Sequence, residues 1–444
     1  MVLAPLPAPI YKVRVDWSER DKRVLWHPFT QAAEWNAGAP LAIERGDGNY
    51  LIDTDGRRYF DGVSSLWVTT LGHGEVAEAI AAQARQLDHS TMLGLTHPRG
   101  IELAERLVAL APSGLTRVFY SDSGSTAVEI ALKQAFQFCA QTGQPQRRRF
   151  IHLAESYHGD TLGAVGVGGM SLFHRIFGPL IVAGIPVPTP ALHPDTALRA
   201  LDQTLRDHGH EVAAMVIEPL IQGAAGMLVH PRGYLKAAAD LCRQHGVLLI
   251  VDEVATGFGR TGTMFACEQE GIQPDFMCLA KGLTAGTLPL AATLSTERIY
   301  QAFVAPRAEL RTFFHGHTFT GNPIACAAAL ANLDRMAQPG FFAHVNAAAA
   351  ILAEHLDRLK ALPVVHQVRQ VGMMAGLELR DLDGMPLPAD RFFGSLVCER
   401  ARAHGVILRP LGDVIVWMPP LTSTADDLAL LAHATREAIE ETLP

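Results

Sequence analysis

An α/β fold is what this sequence predicts, built on a mainly parallel sheet with helices on both faces and joined to a smaller α+β unit. Two observations carry that expectation. From about residue 75 helical and strand patterns alternate along the chain. Three of the strands, AAMVIEPL, GVLLIVDE and DFMCLAKG, are near-continuous apolar runs ending in charged residues, the pattern of strands buried on both faces of a parallel sheet. The length of 444 residues exceeds what one small core organises and suits two domains. The expected division is an N-terminal arm with part of the small domain (1–70), a large domain (71–329) and a C-terminal small domain (330–444).

The first ~20 residues read as a loose arm. MVLAPLPAPIYKVRV has no charged region before its apolar stretch and is interrupted by prolines, so it does not read as a signal peptide. Residues 40–62 hold D-G and G-D-G breaks between β-rich pieces, which predicts short strands joined by turns. VAEAIAAQARQL and IELAERLVALA predict helices, and VFYSDSG predicts a strand ending in a turn. In STAVEIALKQAFQFCAQTG, Val128, Ala131, Ala135 and Phe138 recur at helical spacing. RFIHLAESYHGD reads as strand and loop. After about residue 325 come two helical stretches, the strand-like pieces VRQVGMMAGLELR and GVILRPLGDVIVWMPPL, and a final helix, expected to pack with the N-terminal segment. There is no internal repeat and no low-complexity tract.

Composition narrows the function. Hydrophobic residues make up 48% and charged residues 18%, which excludes general disorder. A net charge of −8 argues against a general nucleic-acid binder. Cys139, Cys242, Cys267, Cys278, Cys326 and Cys398 form no C-x-x-C pair, so reduced, buried thiols are expected rather than a zinc knuckle or disulfide framework. No apolar run reaches the ~20 residues that span a bilayer. A cytoplasmic protein without a metal site is the expectation.

In open parallel sheets ligands bind at the carboxyl ends of the strands, so the residues closing the predicted strands become candidates: Asp122, Ser123, Glu218, Asp252, Glu253 and Lys281. Lys281 ends the apolar run FMCLA. Burial there favours the neutral, nucleophilic amine, although a lone strand-end lysine also fits one that snorkels to solvent. Asp252 closes GVLLIVDE one crossover earlier, and a helix N-cap would explain it equally well in isolation. DSGSTA sits between a strand and a long helix, where Gly124 and Ser125 offer amides and a hydroxyl to an anion; an ordinary capping box is the plain alternative. Tyr157 in SYHGD suits stacking on a flat ring. A nucleophilic lysine, a carboxylate and a phosphate turn at one sheet edge are what pyridoxal 5'-phosphate requires. GFGRTG (257–262) matches G-x-G-x-x-G, which leaves a nicotinamide oxidoreductase as a rival, but Asp252 and Glu253 precede the glycines and no helix pattern follows them.

These residues, in this order, resemble the class III aminotransferases of pyridoxal-phosphate fold type I, over about residues 25–440. LLIVDEVATGFGRTGTMFACE followed by PDFMCLAKGLTAGTLPL is similar to that class's signature. WHPFTQ, DGVSSLWVTTLGH, YSDSGSTAVEIALK, SYHGDTLGA, FFHGHTFTGNPIACAAAL and LRPLGDVIVWMPPL resemble its biotin-pathway branch, which converts 8-amino-7-oxononanoate to 7,8-diaminononanoate. The resemblance implies a mainly parallel seven-stranded sheet, and Lys281 as the lysine that carries the cofactor and moves the proton. It implies Asp252 at the pyridine nitrogen, Gly124 and Ser125 at the phosphate, and Tyr157 over the ring. His317 and Thr318 match a segment reaching the phosphate of the neighbouring subunit, hence a homodimer with shared sites. Substrate-side positions are Phe29, Leu66, Trp67, Tyr157, Gly316 and Arg409, the arginine being suited to a carboxylate.

Phe29 stands where the better-known form of the branch has tyrosine, and Leu66 where it has a first tryptophan. Both departures are similar to a bacterial subgroup that takes its amino group from lysine, so the donor stays open between S-adenosylmethionine and lysine. The nearest rival activity is another class III transamination, of an ω-amino acid or amine with pyruvate or 2-oxoglutarate.

Overall fold

The computed structural model describes residues 15–443; the expectation for the extreme N-terminus lies outside the described residues. Its centre is a seven-stranded sheet. In spatial order the strands are Leu115–Ser121, Ala291–Thr296, Phe276–Leu279, Leu248–Asp252, Val212–Ile217, Arg149–Leu153 and Ile185–Val187. All pairings are parallel except the two made by Ala291–Thr296. The sequence pattern does not announce that strand. Its direction follows from the link before it: residues 280–290 are too few for the dozen or more that a parallel crossover needs.

Helix Gly124–Gln141 covers one face of the sheet. Val128, Ala131, Ala135 and Phe138 are buried as their spacing requires, in one cluster with Ala214, Val216, Ile250 and Phe276 of the strands. Its start differs from the capping expectation. Ser123 is the N-cap and shares a capping box with Thr126, which leaves Ser125 free of that task. Glu129 instead accepts the amides of Gly163 at 2.6 Å and Ala164 at 3.2 Å, a carboxylate placed favourably at the first turn of helix Leu162–Gly166.

Two four-stranded sheets accompany this core. Ile43–Asp47, Tyr50–Asp53 and Arg58–Asp61 form an antiparallel meander whose last strand pairs in parallel with Val406–Ile407. The N-terminal segment thus pairs with a strand from the C-terminal region. Val365–Val371, Met374–Leu379, Val414–Trp417 and Arg409–Leu411 form the other, all antiparallel. Two helices depart from the sequence reading. Trp17–Lys22 lies in the stretch expected to be loose, capped by Asp16, which accepts the Glu19 amide. Phe393–Arg400 is too short to carry a clear helical period. All six cysteines are buried and unpaired.

Asp427 ties the two chain ends together. It sits in the first turn of helix Ala425–Thr442, in a capping box with Thr424. Its carboxylate also accepts from Asn49 Nδ2 at 3.0 Å and from Tyr50 Oη at 2.5 Å. Burial raises its pKa, but these donors outweigh burial and hold it below the ordinary value. Asp427→Ala should therefore cost about 2–4 kcal/mol, the scale of several hydrogen bonds to a charged group. A group depressed in the fold stabilises fully above its unfolded pKa of ~3.9 and loses that contribution as pH falls through the lower folded value. In urea melts the deficit of Asp427→Ala should be full at neutral pH and shrink on strong acidification.

Candidate active site

The carboxyl edge of the large sheet opens into a cavity of about 690 Å³. Each wall comes from the end of a strand. After Leu115–Ser121 the chain supplies Asp122, Ser123, Gly124 and Ser125; after Arg149–Leu153 it supplies Tyr157, His158 and Asp160. Val212–Ile217 ends beside Glu218, Leu248–Asp252 ends in Asp252, and Phe276–Leu279 leads to Lys281. Trp67 and Gly286 close another side. Nine of the residues singled out from sequence therefore share one cavity: Lys281, Asp252, Tyr157, Gly124, Ser125, Trp67, Asp122, Ser123 and Glu218.

Asp252 pairs in register with Cys278 of the neighbouring strand, three residues before Lys281. Its Oδ1 accepts the Val254 amide at 3.0 Å, and its Oδ2 faces His158 Nδ1 at 2.7 Å. Burial disfavours a charged His158, but the hydrogen bond and field of Asp252 prevail and raise its pKa above the usual imidazole value. Glu218 accepts the amides of Tyr157 at 3.2 Å and Gly223 at 3.0 Å. Burial first, with the nearby charge of Asp252, pushes it up to about 7 against the pull of His158 and the two amides. Sequence spacing gives no sign of His158; it becomes visible only when two strand ends meet.

Lys281 Nζ lies 5.1 Å from the Trp67 ring centroid. Burial lowers its pKa, while Asp252 and Glu218 oppose that shift. Its backbone has φ +44°, in the left-handed region, an uncommon conformation for a residue with a Cβ. Trp67 is held similarly. Ser64, Ser65 and Trp67 all have positive φ, and Asp61 accepts both the amide and the hydroxyl of Ser65. Tyr157 Oη donates to Asp160 at 2.8 Å; burial and that carboxylate both raise the phenol's pKa.

Whether pyridoxal phosphate fits can be tested on this geometry. The amides of Gly124 and Ser125 open a helix, where no intrahelical acceptor exists for them. A Cβ on Gly124 would stand 2.5 Å from Val254, and one on Gly159 2.3 Å from Ser125, so the turn is close-packed and admits only hydrogen at those positions. The Ser125 hydroxyl meets Thr161 Oγ1 at 2.7 Å and accepts the Thr161 amide, which fixes its position beside the turn. Buried Trp67 Nε1 and His158 Nε2 have no partner among the described residues. An anion turn, a lysine and a braced carboxylate around one cavity fit the cofactor. Among the described residues no cluster of His, Cys, Asp or Glu could hold a metal ion.

The other sequence candidates do not line this cavity. Phe29 is exposed and touches Phe173 edge-on at 5.3 Å, and Phe173 in turn meets Tyr157 at 6.3 Å. Leu66 is exposed in the strained turn before Trp67. Gly316 and Thr318 are exposed, and Arg409 is exposed at the start of an edge strand. His317 is partly buried, with Nε2 unpartnered. GFGRTG opens no helix: Gly259 donates back to Thr263, and the loop packs against Leu421 and Asn346. Its Arg260 is buried and donates to the Pro419 carbonyl and Ser64 Oγ, so this string ties segments together rather than cradling a dinucleotide.

Known proteins agree with the geometry. The family "Aminotransferase class-III" matches residues 31–439. Adenosylmethionine-8-amino-7-oxononanoate aminotransferase of Nitratidesulfovibrio vulgaris is 52% identical, with 94% of this chain and 80% of that protein aligned. The enzyme of the same name from Geobacter sulfurreducens is 49% identical over 96% of both. The crystal structure of the Methanocaldococcus jannaschii enzyme of that name superposes with a TM-score of 0.93 at 42% identity, covering 96% of this chain and 98% of that one. A PLP-bound amine transaminase from an uncultivated Pseudomonas species gives 0.89 at 38% identity, over 94% and 99%. With its lysine, carboxylate and anion turn on one sheet edge, the chain belongs to the class-III aminotransferases, enzymes dependent on pyridoxal phosphate.

Proposed function

We propose that this protein aminates 8-amino-7-oxononanoate to 7,8-diaminononanoate in biotin biosynthesis, with S-adenosylmethionine or lysine as donor. The observation that carries the reading is the opening of Lys281 and Asp252 onto one cavity, in a chain about half identical to relatives of that name. Bound pyridoxal phosphate supplies an electron sink and carries the amino group between donor and acceptor. Asp252, braced by Val254 and His158, is the carboxylate to keep a pyridine nitrogen protonated. The amides of Gly124 and Ser125 hold the phosphate. Lys281 Nζ, with its pKa lowered by burial, takes the proton from the amine-bearing carbon of the donor. Trp67 and Tyr157 border the aliphatic part of the substrate, with Phe29 and Leu66 on the same side, and Arg409 meets a substrate carboxylate.

Gly316, His317 and Thr318 belong in this reading to the site of a second subunit. They do not line their own chain's cavity, and the buried Nε2 of His317 has no partner among the described residues. Val24, Trp26, Leu172 and Ile176, each at least 80% exposed, are apolar surface of the kind that a subunit interface covers. A homodimer with shared sites, working in the cytoplasm, is part of the same proposal. No helix among the described residues is long and apolar enough to cross a membrane.

Offered a panel of keto acceptors and amino donors, the enzyme should aminate 8-amino-7-oxononanoate, and the product mass should match 7,8-diaminononanoate. Faster turnover of pyruvate or 2-oxoglutarate with an ω-amino acid or amine would establish the rival transamination instead. Lys281→Ala should still bind the cofactor but sustain no steady turnover, read by continuous assay alongside absorbance. Mixing denatured Lys281→Ala and Thr318→Trp in equal amounts and refolding them should recover roughly a quarter of wild-type activity, since half the dimers would carry one intact shared site. A site built within one chain would recover none.

A further inference from the structure

Asn332 is the one polar residue buried in the middle of helix Pro323–Met336, among Ala325, Cys326, Ala328, Ala329, Leu333 and Met336. Its side chain is fully out of solvent. The Nδ2 group donates to the carbonyls of Gly282 at 2.8 Å and Leu283 at 3.0 Å, which uses both amide hydrogens. Its Oδ1 is buried without a partner. A buried amide that satisfies only half its capacity is an expensive way to stabilise a helix face, because an orphaned oxygen carries its full desolvation penalty. What the two bonds grip is the short 3-10 turn Lys281–Thr284, which begins at the reacting lysine.

That turn needs holding. Lys281 at φ +44° and Ala285 at φ +53° both lie in the left-handed region, and such conformations persist only where the surroundings over-determine them. Gly282 is boxed in, since a Cβ there would stand 3.0 Å from Thr70 and 3.1 Å from Phe258. The Gly282 carbonyl also receives the Ala285 amide at 3.2 Å. For the Leu283 carbonyl, Asn332 is the side chain that supplies a donor.

We propose that Asn332 is a positioning residue for Lys281: its amide clamps two successive carbonyls after the lysine and so aims the Lys281 amine into the cavity. The clamp reaches the site from a helix whose own residues stay outside the cavity wall. This inference rests on Lys281 being the lysine that carries the cofactor.

The test uses the full chain with pyridoxal phosphate bound. Asn332→Leu keeps the volume and removes both donors; Asn332→Asp keeps the shape and replaces them with oxygen. Both variants should shift the pH midpoint of the near-visible absorbance of the bound cofactor. Both should also weaken cofactor retention on dialysis and lower kcat roughly tenfold or more, the scale expected when a reacting group is misplaced. The KM for the keto acid should stay within about twofold, because binding contacts are untouched. A merely structural residue would lower the melting temperature and the yield without moving the absorbance midpoint. Wild-type midpoint, retention and kcat in folded Asn332→Leu and Asn332→Asp would overturn the proposal. If either variant fails to fold, Asn332→Ser takes its place: shifted values support the clamp, and wild-type values overturn it. Full activity in Lys281→Ala would instead refute the assignment of the lysine, an outcome that the Asn332 variants cannot mimic.

Discussion

The register between two parallel strands is the constraint on which this architecture depends. Leu248–Asp252 and Phe276–Leu279 are aligned so that Asp252 faces Cys278, and the chain turns out of the second strand at Lys281. Because side chains alternate along a strand, a slip of one residue would send Asp252 to the opposite face of the sheet. The apolar runs on both strands, with the cluster under helix Gly124–Gln141, lock that alignment. The chemistry therefore inherits its geometry from hydrophobic packing.

Charge around that edge is arranged in layers. Lys281 feels two carboxyl groups, Asp252 and Glu218, that the fold holds in different ways. Asp252 takes hydrogen bonds from His158 and an amide, whereas Glu218 is raised toward neutrality by burial. A site with one firmly braced carboxylate and one near its titration point avoids stacking two full negative charges beside a single lysine. The pairing of His158 with Asp252 prevents that buried carboxylate from standing alone.

Much of this is legible in the residues, and the reasons differ by element. Strand ends can be read because near-continuous apolar runs announce buried parallel strands, and ligands gather where such strands finish. Lys281, Asp252, Tyr157, Gly124 and Ser125 stand out on that ground and meet in one cavity. The antiparallel strand Ala291–Thr296 is not legible, since its direction comes from the length of a link rather than from any period. His158 and Asn332 stay hidden for a related cause: each acts across a long sequence separation on an element with which it shares no pattern. The hydroxyl of Ser125 shows the limit in reverse. Its residue type suits a phosphate, and the fold also sets it against Thr161, a contact that no pattern announces. Gly316, His317, Thr318 and Arg409 are recognisable only through resemblance, and a single chain does not bring them to its own cavity.

The pairing of Arg58–Asp61 with Val406–Ile407 has a consequence for biogenesis. Phe60 meets its partner Val406 only after all the residues between them have been made. At ~5–20 residues per second that interval lasts roughly 20 to 70 s. The nascent meander must spend it with one flank unsatisfied, while the central sheet completes itself from segments made in between. The waiting strand is only four residues long and carries Arg58 and Asp61 at its ends. Brevity and charge are the features that discourage an open flank from recruiting a wrong neighbour. Closure of this sheet thus waits on everything made between its strands, and the catalytic edge is framed before they meet.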